Sequence, residues 1–561
     1  MSFVNQDENA GFRCKLWRGE RTCMLGFDVD QPEPDLVGFS IECKAPGDSN
    51  FHALRNRIAF SYPDKGVDGF RNFDSTQAPF QKFRWIHFPW NPVPGAYTYR
   101  ATKIHMPQDG QLRQGTSITL DISLDPVTYA NFLDVGFTRN FASSQAYADR
   151  FGNNPNVIPA TAAQGLGFQK LNLQPDVYDW LGFEAKQLIF GILDEVVGNP
   201  QLSLDMLAYD FNEPDILARL ENLGNRLRIV MDDSADHGDS TSAESQGAAR
   251  LTAKGASVKR THFRNLQHHK VLIVRRNGVA VKVLCGSTNF SFRGIYIQAN
   301  NVIVFSDEDI AGLFDKVFEQ AFNAPDTFSK NDLALKWHMP SMREPRVSFC
   351  FSPHDDVKLS LNPVGAAIDQ ATSSVFFSIA FLNQILSGPT REAIDRLEGR
   401  PIFSYGVVNQ TGKKLQIHKP DGSVGLVDFA YLSAHAPSPF KEEWKAGGGI
   451  NIHHKFVVSD FNLPGAKVFM GSSNLSKAGE NNNGDNLVMI EDREVATSYA
   501  IEAVRLFDHL HFRSAMQEAA STTKGVMALK KPTAISGQPA WFERYYQTGT
   551  QLEQDRLIFS R

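Results

Sequence analysis

Up to about residue 125, apolar and polar positions alternate in short runs, as in Val37–Cys43 and Thr116–Ile122. Turns rich in Pro, Gly and Asp, such as Asn91–Ala96, break them up. Period-two alternation between turn signals predicts a small antiparallel β-sandwich-like domain over 1–125. Residues 126–180 shift to Asn, Ala, Gly, Pro and Gln, with Asn153–Asn156 as a breaker, and read as an ordered connector or lid. The period then changes. Lys186–Val197 has helical apolar spacing, Leu202–Tyr209 reads as a strand, Glu213–Leu223 as a helix and Arg226–Met231 as a strand. The same succession returns in Leu359–Ala371, Val375–Phe381, Pro389–Leu397 and Pro401–Val408. This rhythm predicts an α/β core of two duplicated lobes, 181–340 and 341–515, each a mixed sheet flanked by helices, followed by a C-terminal extension over 516–561.

A constant shift of 185 positions aligns residues 268–301 with 453–486 without a gap, and 12 of the 34 positions are identical. Unrelated segments of average composition would share about two. The shared positions include His268 with His453, Lys270 with Lys455, Gly286 with Gly471, Ser287 with Ser472, Asn289 with Asn474 and Asn301 with Asn486. In each copy His-x-Lys leads into an apolar run, so period-two geometry puts the imidazole and the ammonium on one face of a buried strand. Buried cations need an anionic partner, and one bound phosphate would serve both copies. Each copy then supplies a second strand ending in Gly-Ser-x-Asn, whose hydroxyl and amide can donate to phosphoryl oxygens.

Composition narrows the class without choosing a substrate. The chain has 561 residues, 42% hydrophobic and 21% charged, with 42 Phe to fill cores. That is too long for a single core and too apolar for wholesale disorder. The net charge of −5 argues against a strongly basic nucleic-acid scaffold, though a local basic groove is compatible with it. No run of about 18 apolar residues occurs and the N-terminus lacks a leader pattern, so the expectation is a soluble, cytoplasmic protein. Five cysteines without zinc spacing read as free thiols.

The doubled motif resembles the phospholipase D superfamily, whose hallmark is His-x-Lys-x4-Asp followed by Gly-Ser-x-Asn. The second copy fits fully with His453, Lys455, Asp460 and Gly471–Asn474. The first has His268, Lys270 and Gly286–Asn289, but Arg275 stands in place of the Asp. The resemblance covers roughly residues 180–515. It implies a two-step reaction without cofactor or metal: one histidine forms a phosphohistidine, the other protonates the leaving oxygen and then activates water. By the same resemblance His268, Lys270, His453 and Lys455 are catalytic, Ser287, Asn289, Ser472 and Asn474 hold the phosphoryl oxygens, and Asp460 is structural, so that Arg275 affects packing more than chemistry.

The acidic loop Asp232–Asp239 reads as a solvated turn rather than a metal site. Basic residues Lys254, Lys259, Arg260, His262 and Arg264 precede the first motif, and Lys413, Lys414, His418 and Lys419 lie in the second half. They flank the cleft and attract a polyanion, or they form solvated faces. Nucleic acid is the favoured phosphodiester, a phospholipid headgroup the runner-up, and an inactive phosphate-binding module the third reading. Two half-sites in one chain make a monomer complete and leave a homo-oligomer open. The copies differ at one telling position, Asp485 against Asn300. An acid there backs an imidazole. The sequence reading pairs Asp485 with His453 of its own copy and makes His453 the nucleophile and His268 the general acid; a reach across to the other copy would reverse the roles.

Overall fold

A computed structural model of the chain describes residues 2–62, 72–173, 176–410, 423–428, 440, 450–521 and 527–561. Lys413, Lys414, His418 and Lys419 lie outside the described residues. Two large mixed sheets with flanking helices form the core, and each is built on the same plan. In the first, Leu133–Phe137, Asn301–Phe305, Val279–Gly286, Val271–Arg276, Leu202–Ala208, Leu227–Met231 and Ser257–Arg260 lie side by side in that order. In the second, Arg346–Ser352, Asn483–Glu491, Lys467–Gly471, Lys455–Ser459, Ser374–Ile379, Phe403–Val408 and Leu426–Asp428 repeat it. The strands are near-continuous runs of Val, Ile, Leu and Phe because both faces are buried, as in sheets covered by helices. The helix Glu308–Asn323 packs on the first sheet, and the long helix Arg493–Ser521 packs on the second.

This repeat corrects the reading of 126–180 as a connector. Leu133–Phe137 pairs antiparallel with Asn301–Phe305, as Arg346–Ser352 pairs with Asn483–Glu491. The first lobe therefore takes its opening strand from that stretch. Five residues with one polar position, Leu133-Asp-Val-Gly-Phe, carry too short a pattern to stand out from the Asn- and Gly-rich sequence around them. The helical segment Val177–Gly198 extends N-terminally beyond the periodic Lys186–Val197 and is broken by a kink at Phe183 (φ 48°), with Asp176 capping Tyr178 and Asp179 N–H.

The first 125 residues form two four-stranded antiparallel sheets around their own apolar core. The C-terminal segment completes that core: Trp541, Phe542 and Tyr545 pack into it, and Trp541 Nε1 donates to Leu36 O at 3.0 Å. The last helix, Gln551–Ser560, lies between this domain and the second lobe. Its Asp555 takes a hydrogen bond from the buried Arg84, which also pairs with Asp508, and Trp17 Nε1 donates to Phe559 O at 2.8 Å. The five cysteines are free and buried. No helix among the described residues is long and apolar enough to cross a membrane.

Candidate active site

The two copies meet around a pseudo-twofold axis on which the 185-residue shift is preserved atom by atom. His268 N donates to Gly484 O at 3.0 Å, and His453 N donates to Ala299 O at 3.1 Å. Gln267 pairs in parallel with Gly484, and Ile452 with Ala299. Each histidine is thus hung on the final strand of the other lobe. Gly286 and Gly471 make this possible. Both have φ near +150°, at 151° and 144°, and a Cβ there would lie 2.4 Å from Asn301 O or 2.3 Å from Asn486 O. The close approach lets Ser287 N donate to Asn301 O (3.0 Å) and Ser472 N to Asn486 O (3.1 Å), fixing the Gly-Ser-x-Asn turn beside the histidines.

Structure and sequence part company over the acid. Asp485 Oδ1 lies 2.7 Å from Nδ1 of His268, while His453 Nδ1 lies 2.9 Å from Asn300 Oδ1. Asp485 therefore does not back His453, as its place in the second copy suggested. The strand crossover hands each imidazole a partner from the opposite lobe. The Asp485 carboxylate also accepts from Ser472 Oγ at 2.6 Å, and Asn300 Oδ1 from Ser287 Oγ at 2.8 Å. Ser287 and Ser472 thus hold the groups that orient the histidines. Because Asn300 Nδ2 donates to Gly294 O at 2.9 Å, its Oδ1 is the face turned to His453. Both Nδ1 atoms then carry the proton, and both Nε2 atoms are free of it.

The remaining groups form a buried cationic site. His268, Lys270, His453 and Lys455 are all at most 5% exposed. Neither lysine has a carboxylate within ion-pair distance among the described residues; Lys270 Nζ donates to His268 O (2.5 Å) and Lys455 Nζ to His453 O (2.7 Å). Burial, with help from Lys270 and Lys455, pushes His268 down to about 4 against the pull of Asp485. Burial also brings Lys270 down to about 7 and drives Lys455 and His453 well below their ordinary values, with the cations of the other half-site adding to the effect on both. Burial alone would raise Asp485, but His268, Lys270 and Ser472 hold it below the usual range. The side chains of Asn289 and Asn474 make no hydrogen bond among the described residues, and their buried amide oxygens lack a partner. Two lysines, two asparagines and two imidazoles with unmet bonding capacity are what a tetrahedral phosphoryl group would satisfy.

Several contributors were not singled out in the sequence. The middle residues of His-x-Lys, His269 and His454, are fully buried and tie the lobes together: Asn486 Nδ2 lies 3.2 Å from His269 Nδ1 and Asn301 Nδ2 lies 3.2 Å from His454 Nδ1. Their identity under the 185-residue shift was the available signal. Tyr209 packs edge-on to His268 at 4.7 Å and Phe381 to His453 at 6.2 Å, giving each imidazole an aromatic wall. Asp460, at φ 51°, accepts from the N–H groups of Thr372, Ser373 and Ser374 and stays away from the histidines. At the matching strand end Arg275 instead pairs with Asp205 and Asp315. Arg260, His262 and Arg264, read as either flanking the cleft or forming solvated faces, are bound to Asp232 O and His237 O, to Asp233, and to Asp355 and Ser329 respectively.

Two interlocked α/β lobes bring paired histidines, lysines and asparagines together in one buried, cationic site. Residues 193–322 and 366–506 match the family described as cardiolipin synthase, PLD-like domain. The chain belongs to the phospholipase D superfamily. Among solved structures it is similar to Nuc, a phospholipase D family member from Salmonella typhimurium (25% identity over 24% of this chain and 86% of that one, TM-score 0.21). It is also similar to phosphatidylserine synthase of Haemophilus influenzae Rd KW20 (12%, 68% and 100%, TM-score 0.40) and to yeast tyrosyl-DNA phosphodiesterase (12%, 54% and 87%, TM-score 0.30). TM-scores this low decide nothing about substrate. No curated protein matches the chain.

Proposed function

We propose that the protein is a phosphodiesterase that works through a phosphohistidine on His268, with nucleic acid as its favoured substrate class. The observation that carries the assignment of roles is the Asp485 contact to His268 at 2.7 Å, set against the neutral Asn300 contact to His453. With Nδ1–H given to the carboxylate, His268 Nε2 turns its lone pair to phosphorus, and Asp485 stabilises the positive charge that grows on the ring as the P–N bond forms. His453 takes up a proton at Nε2 as the anionic substrate offsets the cations around it, and the P–O bond breaks as that proton passes to the leaving oxygen. Water then attacks the phosphohistidine, giving its proton to the same His453 nitrogen, and the P–N bond breaks to return His268. Lys270, Lys455, Asn289 and Asn474 balance charge on the non-bridging oxygens. A partner without charge suits the acid, because it leaves the His453 proton easier to release.

Tyr209 and Phe381, each half-buried, wall the reacting centre with Lys270 Nζ over the one ring at 4.6 Å and Lys455 Nζ over the other at 5.7 Å, so the preference for nucleic acid rests on the sequence reading and not on stacking at these rings. The purified protein should be offered single- and double-stranded DNA, RNA and phosphatidylcholine vesicles side by side, with and without excess EDTA. Nucleic-acid cleavage that persists in EDTA and disappears in His268→Ala is the expected outcome. Headgroup release from vesicles with no cleavage of any nucleic acid would give the substrate to the phospholipid reading, and near-normal activity in His268→Ala or His453→Ala would overturn the two-histidine chemistry.

A further inference from the structure

We propose that the first lobe carries a divalent metal site formed by Asp210, His237 and Glu244, one aromatic ring away from the catalytic histidine. One donor atom from each of these three side chains lies within 4.8 Å of the other two. They come from separate parts of the chain: Asp210 from just beyond the strand Leu202–Ala208, His237 from the loop after the parallel strand Leu227–Met231, and Glu244 from the helix Ala243–Ala253. The crevice at the carboxyl ends of adjacent parallel strands is where α/β folds place ligands. An ion with donors at about 2.1 Å in a tetrahedral shell needs them about 3.4 Å apart, so side-chain adjustments of about an ångström close the set.

A carboxylate in a first helical turn already gains from the helix dipole, so Glu244 alone would mean little. Its surroundings say more. The side chain is 4% exposed, accepts one hydrogen bond, from Phe211 N at 2.9 Å, and has no ion-pair partner among the described residues. Asp210, beside it, has neither a hydrogen bond nor an ion pair among them. Two neighbouring carboxylates, one of them buried, are stabilised by a cation between them. His237 is turned to supply a ligand nitrogen: Asp232 Oδ2 lies 3.1 Å from its Nδ1, which leaves Nε2 for a metal in the carboxylate–histidine–metal arrangement. Asp232 is itself anchored, accepting from Gln267 N at 2.6 Å, one residue before His268. Of the other loop carboxylates, Asp233 is committed to His262 and Asp239 to Thr241.

Among the described residues the second lobe shows no counterpart. Leu207 pairs with Val271 and Ser378 with Phe456, positions related by the 185-residue shift, so Phe381 stands where the first lobe has Asp210. The site is therefore an addition to one half of a duplicated fold. Tyr209 packs on His237 at 4.6 Å and on His268 at 4.7 Å, so an ion here would brace the wall of the active site. Two carboxylates and one imidazole suit Mn2+ or Zn2+ better than an all-oxygen shell ion.

The test is direct binding to the full-length, chelator-treated protein, with Mn2+ followed by electron paramagnetic resonance and Zn2+ by equilibrium dialysis. One saturable ion per chain is expected, with affinity at least tenfold weaker in His237→Ala and Glu244→Gln, about tenfold weaker or more in Asp232→Asn, and unchanged in His262→Ala. Circular dichroism of each variant separates a lost ligand from a lost fold. Failure of the unaltered protein to bind either ion saturably would overturn the proposal, as would binding that survives both His237→Ala and Glu244→Gln. Neither result bears on the phosphohistidine, because the readout is occupancy and not turnover.

Discussion

At the residue scale the two histidines are held alike but by partners of different charge, Asp485 and Asn300, and the proposed roles rest on that difference. His268→Ala and His453→Ala should each lower turnover by about 10³-fold or more, with the double variant little worse than either, since the two act as one unit; steady-state kinetics on whichever substrate is cleaved will measure this. Asp485→Asn should slow the reaction while leaving the ring oriented, because Asn300 holds His453 in the same way without charge. Anion binding should also follow pH. Lys270 titrates near 7 in the empty site, and His453 lies well below the ordinary imidazole value. Falling pH charges Lys270 within this range and His453 only below it, so sulfate, a dianion throughout, should bind more tightly as pH falls from 9 to 6. Calorimetric titration showing weaker binding at low pH would contradict the cationic description.

At the element scale the strand ends explain why the two motifs diverged without loss of the site. Asp460 ties three successive N–H groups at the start of Ser374–Ile379. Asp460→Ala should cost about 2 kcal/mol, read as a thermal midpoint lower by a few degrees, with the histidine chemistry intact in the folded fraction. Arg275→Asp should also destabilise the fold, by adding a carboxylate next to Asp205 and Asp315. Where the second copy has the motif Asp, the first has an Arg whose surroundings, Asp205 and Asp315, are acidic. The helices and inner strands from 186 to 231 and from 359 to 408 were legible in the sequence because their periods are set by burial on one or two faces. The strand Leu133–Phe137 was not, since five residues beside Gly and Asn hold too little pattern, and only its partner across the sheet identifies it.

At the scale of the whole molecule the site belongs to neither lobe. Each histidine takes a backbone bond and a side-chain partner from the other half, while the C-terminal helix fastens the N-terminal sandwich to the second lobe. The residues of the site could be read from the 185-residue shift, since identity at His, Lys, Gly, Ser and Asn survives in linear order. Their partnerships could not. Asp485 is 32 residues from His453 in sequence and 217 from His268, and only the crossing of the two sheets shows which imidazole it serves. Asp210, His237 and Glu244 were hidden for the same reason, being scattered over three segments, while the more conspicuous acids of the loop turn elsewhere. The most direct measurement is rapid alkaline quench of a single turnover on a labelled phosphodiester, followed by peptide mapping. The crossed arrangement places the label on the peptide containing His268. Label on the peptide containing His453, or no labelled histidine while product forms, would contradict it.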